Sequence, residues 1–541
     1  MTTTMTTPAT TPVINPVVNP VITSAGPAGR RGADTGRLLV VGYGPAAHRL
    51  VELLGRERPH GPVTVIGAEP EPAYNRPLLT AVLDGSLPAR ALRLPDPPQG
   101  TVVRLGVRAV RLDRQRCLVH TDDGGCHPYD RLVLATGAAP VVPDLPWLRG
   151  PDGRPADRVR PLRTLADCVG FGTRGTAGAT GEIGATGTAV AVVGGGVLGV
   201  EAALALRRRG RRVTLVHRGP YPLDRHLDAR GGETLTGRLR TLDIDVRAGR
   251  TVLAREPGAL VLDDGGRVEA DEVLLCVGAR PRVGLARAAG LAVRTGILVD
   301  DRLRTSAVRV HALGDCAESL DGGAHGPFAG AGPTGRVPTG GFAAAWDQAE
   351  TLAALLTGGP ARPAAGRRVL RLKAEELDLM RVGTPDGAEE TVVLGDGARG
   401  RYARLSLSGG RLTGAELIGL GRAAADVARL YEGAVPVPAD RLALLLGDTP
   451  AYRAGPPPGT AVVCHCNNVT GDTLAEAWRA GARTVDSLAA ATRAGTGCGG
   501  CRDELEERCA AWAREETGAG AARGPADEGE PPRAAREERE A

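Results

Sequence analysis

The sequence predicts an α/β fold with two parallel-sheet domains, and three observations carry that expectation. The stretches RLLVVGYGPAAHRLVELL (37–54) and AVAVVGGGVLGVEAALALRRRG (189–210) each read as an apolar strand, a glycine-rich turn and an Ala/Leu-rich helix. Each is followed by a second strand, VTVIGAE (63–69) and VTLVHR (213–218). At 541 residues the chain is too long for one compact core, so two such units with further small domains suit its length. Both units are the start of a Rossmann-like, three-layer (ββα-type) dinucleotide-binding domain.

In the first unit the turn carries Gly42, Gly44 and Ala47 at Gly-x-Gly-x-x-Ala spacing. The first glycine permits a tight turn, the second lets a pyrophosphate approach the backbone, and the third small residue brings helix close to strand. The anion then rests on the helix N-terminus, where free N–H groups and the dipole favour it. Glu69, closing the second strand, is placed to bond a ribose hydroxyl. The second unit carries Gly194, Gly196 and Gly199, then Glu201, and its second strand ends in His217 and Arg218. A cation there pairs with the 2′-phosphate of NADPH, whereas NADH-selective sites carry an acid, so the cofactor is read as NAD(P)H.

Composition excludes several other classes. Aromatic residues are 3% of the chain, which argues against base stacking of nucleic acid, and the net charge of +5 is interspersed rather than striped. The Thr/Pro-rich N-terminus lacks the basic and apolar regions of a secretory signal, and no apolar run approaches membrane-span length. A cytoplasmic protein without membrane or nucleic-acid partners is expected, its ten cysteines being thiols or metal ligands rather than disulfides. Lys373 is the only lysine, so arginine is too abundant here for a single arginine to signal function.

Cysteine placement is the other chemical signal. Cys464-x-Cys466 is followed, after residues 467–497, by Cys498-x-x-Cys501. Four thiolates in two tight pairs suit tetrahedral zinc or an iron–sulfur cluster, and the single residue within the first pair leans away from zinc. The remaining cysteines are scattered singly and read as small buried hydrophobes.

Several further segments carry a family resemblance. YDRLVLATGAAP (129–140), with Thr136 and Gly137, and ADEVLLCVGARP (270–281), with Gly278, resemble the two crossing-back segments of two-dinucleotide flavoproteins. VRVHALGDCAE (308–318) resembles a flavin-binding Gly-Asp motif in which Asp315 bonds the ribityl chain. With AYNRPLLT (73–80) and AAWDQAETLA (344–353), residues 37 to about 360 resemble the FAD/NAD(P)H pyridine nucleotide oxidoreductases. Within them, YNRPLLTAVLDG, DRHLD and AAWDQA resemble the flavin-reductase part of assimilatory nitrite reductase large subunits and the electron-transfer subunit of assimilatory nitrate reductases. The resemblance implies FAD at the first cradle, with Arg76 supporting the flavin's negative charge, and NAD(P)H at the second. The helix after Gly44 and residues 74–90 lack the redox cysteines of disulfide reductases, so the flavin is expected to pass electrons onward directly. Residues 460–512 resemble the bacterioferritin-associated ferredoxin-like domain, which implies a [2Fe-2S] cluster on Cys464, Cys466, Cys498 and Cys501. Two short helices, about 471–480 and 484–493, are expected to bring the pairs together.

The expected architecture is then a disordered segment (1–36), an FAD-binding domain (37–160 plus 297–360), an NAD(P)H-binding domain (161–296, with a flexible insertion at 171–187) and an α+β third domain (367–435). A connecting segment and linker (436–459), a small helical [2Fe-2S] domain (460–512) and a disordered tail (513–541) complete it. Residues 322–341 read as a second insertion. The implied partner is a separate nitrate or nitrite reductase catalytic subunit that accepts the electrons. The alternative is a self-contained NAD(P)H oxidase, or a ferredoxin- or rubredoxin-type reductase, with a structural metal module.

Overall fold

The computed structural model describes residues 36–56, 61–149, 156–171, 187–319, 342–359, 369–447 (apart from 373, 375 and 386), 459, 462–464, 467, 469–496 and 501–521. The expected N-terminal segment up to residue 35, the bulk of both insertions, Lys373, most of the linker, Cys466, Cys498 and the tail beyond 521 lie outside the described residues.

The first unit forms β1 (Leu38–Val41), α1 (Pro45–Arg56) and β2 (Val63–Gly67). All four residues of β1 are buried, as expected of a parallel strand covered on both faces. α1 buries Ala47, Leu50, Val51 and Leu54, a single helical face. The parallel sheet runs in the order Val310–Ala312, Arg131–Leu134, β1, β2, Thr101–Leu105. The second unit forms β3 (Ala189–Val193), α2 (Val197–Arg208) and β4 (Arg212–His217). Its parallel sheet runs Ile244–Ala248, β4, β3, Glu272–Leu275, Val159–Pro161. The strand Val159–Pro161 thus pairs in the second sheet, so a boundary after 160 cuts through it. The two crossing-back segments meet, with Ala138–Pro140 antiparallel to Ala279–Pro281 between the domains.

The third domain is an antiparallel sheet ordered Val369–Arg371, Leu379–Gly383, Arg411–Ile418, Arg401–Ser408, Glu390–Asp396, with the helix Gly421–Glu432 against it. α3 (Arg441–Leu446) adds Leu444 and Leu445 to this core, beside Val437. The third domain therefore extends past 435 into the expected connecting segment. A helix of six residues is too short to display a repeat, although Asp440 caps its start and the left-handed Gly447 its end.

In the cysteine module β5 (Val462–Cys464) pairs with Val469–Thr470, followed by α4 (Gly471–Arg479), α5 (Val485–Thr492) and α6 (Arg502–Ala521). Thr470 and Thr484 cap α4 and α5 by accepting N–H bonds. α6 runs through residue 521, which corrects the expected tail beginning at 513. Tertiary contacts hold it: the Trp512 ring centroid lies 5.3 Å from that of Trp478, whose indole N–H donates to Glu516 at 2.9 Å.

The domains are clasped by charge. Arg208 of α2 donates to Asp84 of the first domain at 2.7 Å and to Glu376 of the third at 2.9 Å. Asp228 accepts from the Tyr402 hydroxyl at 2.5 Å and from Arg404 at 3.3 Å. Among the described residues no helix is long and apolar enough to cross a membrane.

Candidate dinucleotide sites and cysteine module

Both glycine turns have the shape the spacing demands. Gly42 and Gly194 have φ of +106° and +112°, and a Cβ on Gly194 would lie 2.4 Å from the Cys276 carbonyl oxygen. Gly199 presses α2 onto the turn, its virtual Cβ 1.8 Å from the Gly194 oxygen. The middle glycines instead face open space. Nothing comes within 4 Å of a Cβ on Gly196, and only the Arg76 Nε, at 3.9 Å, does so for Gly44. Each turn is a cradle at a helix N-terminus, which fits a pyrophosphate.

Around the first cradle the side chains form one constellation. The Tyr74 hydroxyl donates to Glu69 Oε2 at 2.7 Å, while Arg76 pairs with the other carboxylate oxygen. The same hydroxyl accepts from Arg76 Nη1 at 2.7 Å and from the Leu165 N–H at 3.0 Å. Arg76 also donates to the Arg163 carbonyl at 3.2 Å, and Arg163 pairs with Asp315. Burial pushes the Glu69 pKa up, but Arg76, the Tyr74 hydrogen bond and Arg282 outweigh it and hold the carboxyl below its ordinary value. Burial raises the Tyr74 pKa, so its phenol stays a donor to Glu69. Burial lowers the Arg282 pKa, and the neighbouring Arg76 and Arg163 add to this although Glu69 opposes it. Three arginines against two acids leave a net positive lining, which suits an anionic cofactor.

Thr136 and Gly137 act on this constellation through Arg282. The Thr136 hydroxyl donates to the Arg282 carbonyl at 2.7 Å, and the Arg282 N–H donates to Gly137 O at 2.8 Å. Arg163 and Arg282 escaped sequence reasoning because arginine makes up all but one of the 67 basic residues. The available signal was position, since each lies just past a strand, Arg163 two residues after Pro161 and Arg282 one after Pro281.

At the second cradle, Gly278 takes φ +109° with no atom near its virtual Cβ, and its carbonyl accepts from Val141 N–H at 2.9 Å. Glu201 lies buried on α2, two residues after Gly199, and Ala47 is fully buried on α1. His217 differs from the expected cation. Its Nδ1 accepts the Gly195 N–H at 3.1 Å, which an imidazolium cannot do, and Nε2 faces Asp224 at 3.3 Å. Burial lowers its pKa further than Asp224 raises it, with Arg218 and Arg225 adding to the lowering, so of the two residues expected here the exposed Arg218 is the one that supplies a cation.

Of the four expected ligands, Cys464 and Cys501 are described; both are buried and belong to one apolar cluster. Cys464 ends β5, and Cys501 immediately precedes α6, its carbonyl accepting the Leu505 N–H at 2.9 Å. Thiolate sulfur is the form that ligates iron. The module rests on the first domain: Asn75 Nδ2 donates to Asn467 Oδ1 at 2.8 Å, and Arg493 donates to the carbonyls of Ala91, at 2.7 Å, and Arg93.

Residues 36–336 match the pyridine nucleotide-disulphide oxidoreductase family, and residues 462–508 match the BFD-like [2Fe-2S] binding domain. The nitrite reductase (NAD(P)H) of Bacillus subtilis is 28% identical over 87% of this chain and 57% of its own length. The assimilatory nitrate reductase electron transfer subunit of the same species is 26% identical over 87% of this chain and 59% of its own. This chain therefore spans under two-thirds of the length of either relative. Among solved structures, putidaredoxin reductase in its covalent complex with putidaredoxin superposes with a TM-score of 0.65 at 26% identity, covering 78% of this chain and 100% of that one. The first match implies FAD and NAD(P)H, for which the two cradles are shaped, and the second implies a [2Fe-2S] cluster, which thiolate ligands suit. With both dinucleotide cradles, the arginine-lined first site and the C-terminal cysteine module in one chain, this NAD(P)H-dependent flavoprotein oxidoreductase belongs to the pyridine nucleotide-disulphide oxidoreductase family.

Proposed function

We infer that the protein is an NAD(P)H-dependent FAD and [2Fe-2S] electron-transfer oxidoreductase that supplies a separate assimilatory nitrate or nitrite reductase catalytic subunit. The observation that carries this reading is the seating of the cysteine module on residues 75–93, beside the first cradle, in a chain with no cysteine in α1 or residues 73–94 to act as a disulfide. FAD, when bound, accepts two electrons as a hydride and releases them singly, and a [2Fe-2S] cluster takes one at a time.

The chain's own residues set up that exchange. The Gly194 and Gly42 turns bind the two pyrophosphates, Glu69 and Asp315 are assigned to the ribose and ribityl hydroxyls, and Arg76, Arg163 and Arg282 balance the negative charge. Cys464, Cys466, Cys498 and Cys501 are assigned to the cluster. The assimilatory role rests on the names of the two Bacillus subtilis relatives.

The test is spectroscopic and then functional. Purified protein should carry a flavin spectrum overlaid with cluster absorption and about two irons per chain. Under anaerobic NAD(P)H it should drive nitrate or nitrite reduction by an added catalytic subunit. Stoichiometric zinc without iron would defeat the cluster assignment. Electron delivery to O2 alone would favour the self-contained oxidase instead.

A further inference from the structure

The contact between the cysteine module and the first domain has more specificity than covering an apolar surface requires. The two surfaces share one apolar cluster, in which Tyr74, Leu78 and Leu92 join Val463, Val469, Leu488 and Leu505. Apolar contact alone is non-directional and permits sliding. Two polar contacts fix the position.

The first is Arg493. It is the C-cap of α5 and takes φ +67°, a left-handed setting that ordinarily falls to glycine. A non-glycine residue held there signals a constraint from its surroundings. The guanidinium supplies it, by donating to the carbonyls of Ala91 and Arg93, some 400 residues away in sequence. The segment that carries those carbonyls is paired with residues 73–75, Asn75 N–H donating to Leu92 O at 2.8 Å and Leu94 N–H to Ala73 O at 2.9 Å. The second contact is Asn75, buried to 1% exposure, which donates to Asn467 Oδ1. Asn467 Nδ2 donates in turn to the Arg493 carbonyl at 2.7 Å. The bonds form a closed circuit, from the 73–94 segment through Asn75, Asn467 and Arg493 back to the same segment.

The ends of this circuit lie at the two cofactor loops. Asn75 stands between Tyr74 and Arg76, both bonded to Glu69, and Asn467 directly follows Cys466. We propose that Arg493, with the Asn75–Asn467 pair, is a latch that fixes the cysteine module beside the flavin-domain loop, so that the two redox loops form a standing contact and the module does not swing between positions. These are positioning residues. The proposal rests on the electron-transfer reading above only for its purpose: each transfer oxidises the flavin by one electron and reduces the cluster by one, two transfers discharge one hydride's pair, and the latch alters neither count.

The experiment uses the full-length holoprotein and the variants Arg493→Gly, Arg493→Lys and Asn75→Ala. Glycine retains the left-handed cap and the carbonyl that Asn467 needs, so α5 keeps its end while only the guanidinium is lost. Hydrogen–deuterium exchange reports the contact itself. In Arg493→Gly, exchange in residues 89–94 and 462–470 should rise by about tenfold or more, the loss expected for two charge-assisted hydrogen bonds. Anaerobic stopped-flow bleaching of the cluster by NAD(P)H should slow by a similar factor, with iron content unchanged and Arg493→Lys intermediate. Wild-type exchange protection and wild-type bleaching rates in both Arg493→Gly and Asn75→Ala would overturn the latch. Loss of protection with no cluster bleaching even in the wild type would uphold the latch as a contact and defeat the electron-transfer reading.

Discussion

Replacing Gly199 by alanine tests the second cradle most sharply, because the added atom has nowhere to go. Its Cβ would stand 1.8 Å from the Gly194 carbonyl oxygen, 2.9 Å from that carbonyl carbon and 3.3 Å from Cys276 Cβ. The obstacles closest to it are backbone, so no side chain can swing aside; α2 must retreat from the turn by more than 1 Å. Overpacking of this kind costs about 2 kcal/mol, and spread over a domain of this size it lowers the melting temperature by roughly 4–8 °C. Displacing the cradle by ~1 Å costs about 100-fold in kcat/KM for NAD(P)H, since a binding group that far out of place no longer positions its substrate. The assay pairs steady-state NAD(P)H kinetics with ferricyanide against reduction of the flavin by dithionite, which needs no nicotinamide site. FAD content and dithionite reduction should match the wild type, because the Gly42 cradle belongs to a separate sheet. A Gly199→Ala protein with unaltered KM and unaltered melting would refute both the close packing and the assignment of this turn to NAD(P)H.

Three other perturbations have worked directions. Glu432, on the third-domain helix, has its pKa raised to about 7, chiefly by burial and further by Glu504 of the cysteine module, against a lowering by Arg371. The folded protein thus binds this proton more tightly than the unfolded chain. The stabilisation is complete below the ordinary carboxyl range and is lost as pH rises through about 7, and Glu432→Gln should remove about 1–2 kcal/mol of that pH dependence in denaturant melts at about pH 5 and pH 8. Arg208→Ala leaves Asp84, whose side chain is only 5% exposed, without its cation, and should cost about 2–3 kcal/mol in thermal unfolding; an unchanged melting curve contradicts the clasp. Cys501→Ser should abolish bound iron by elemental analysis while FAD remains, and retained iron at the wild-type level would remove Cys501 from the ligand set.

What the sequence disclosed and what it hid follow from how local each signal is. The βαβ starts were legible because strand, turn glycines and helix lie within about twenty residues and each glycine answers a backbone need. The helices expected at 471–480 and 484–493 appear as Gly471–Arg479 and Val485–Thr492, since threonine caps announce their starts. α6 outruns its expected end because Glu516, 38 positions on, accepts from the Trp478 indole and pairs with Arg483, and composition near 513 carries no trace of those contacts. Arg163 and Arg282 are masked by arginine's abundance, and nothing local to His217 signals that the Gly195 N–H occupies its Nδ1 lone pair.

The deepest gap is also the most functional one. The cysteine spacing and the YNRP segment are each readable as chemistry, but the hydrogen bond from Asn75 of that segment to Asn467, 392 positions away, is not, because neither neutral amide signals its partner. Asn467 also donates to the Arg493 carbonyl and the Thr496 hydroxyl within the module, so its bond from Asn75 ties a residue already used in the module to the first domain. It follows that the left-handed Arg493, unfavourable for α5 considered alone, is consistent once the helix end is counted as part of the flavin domain's surface.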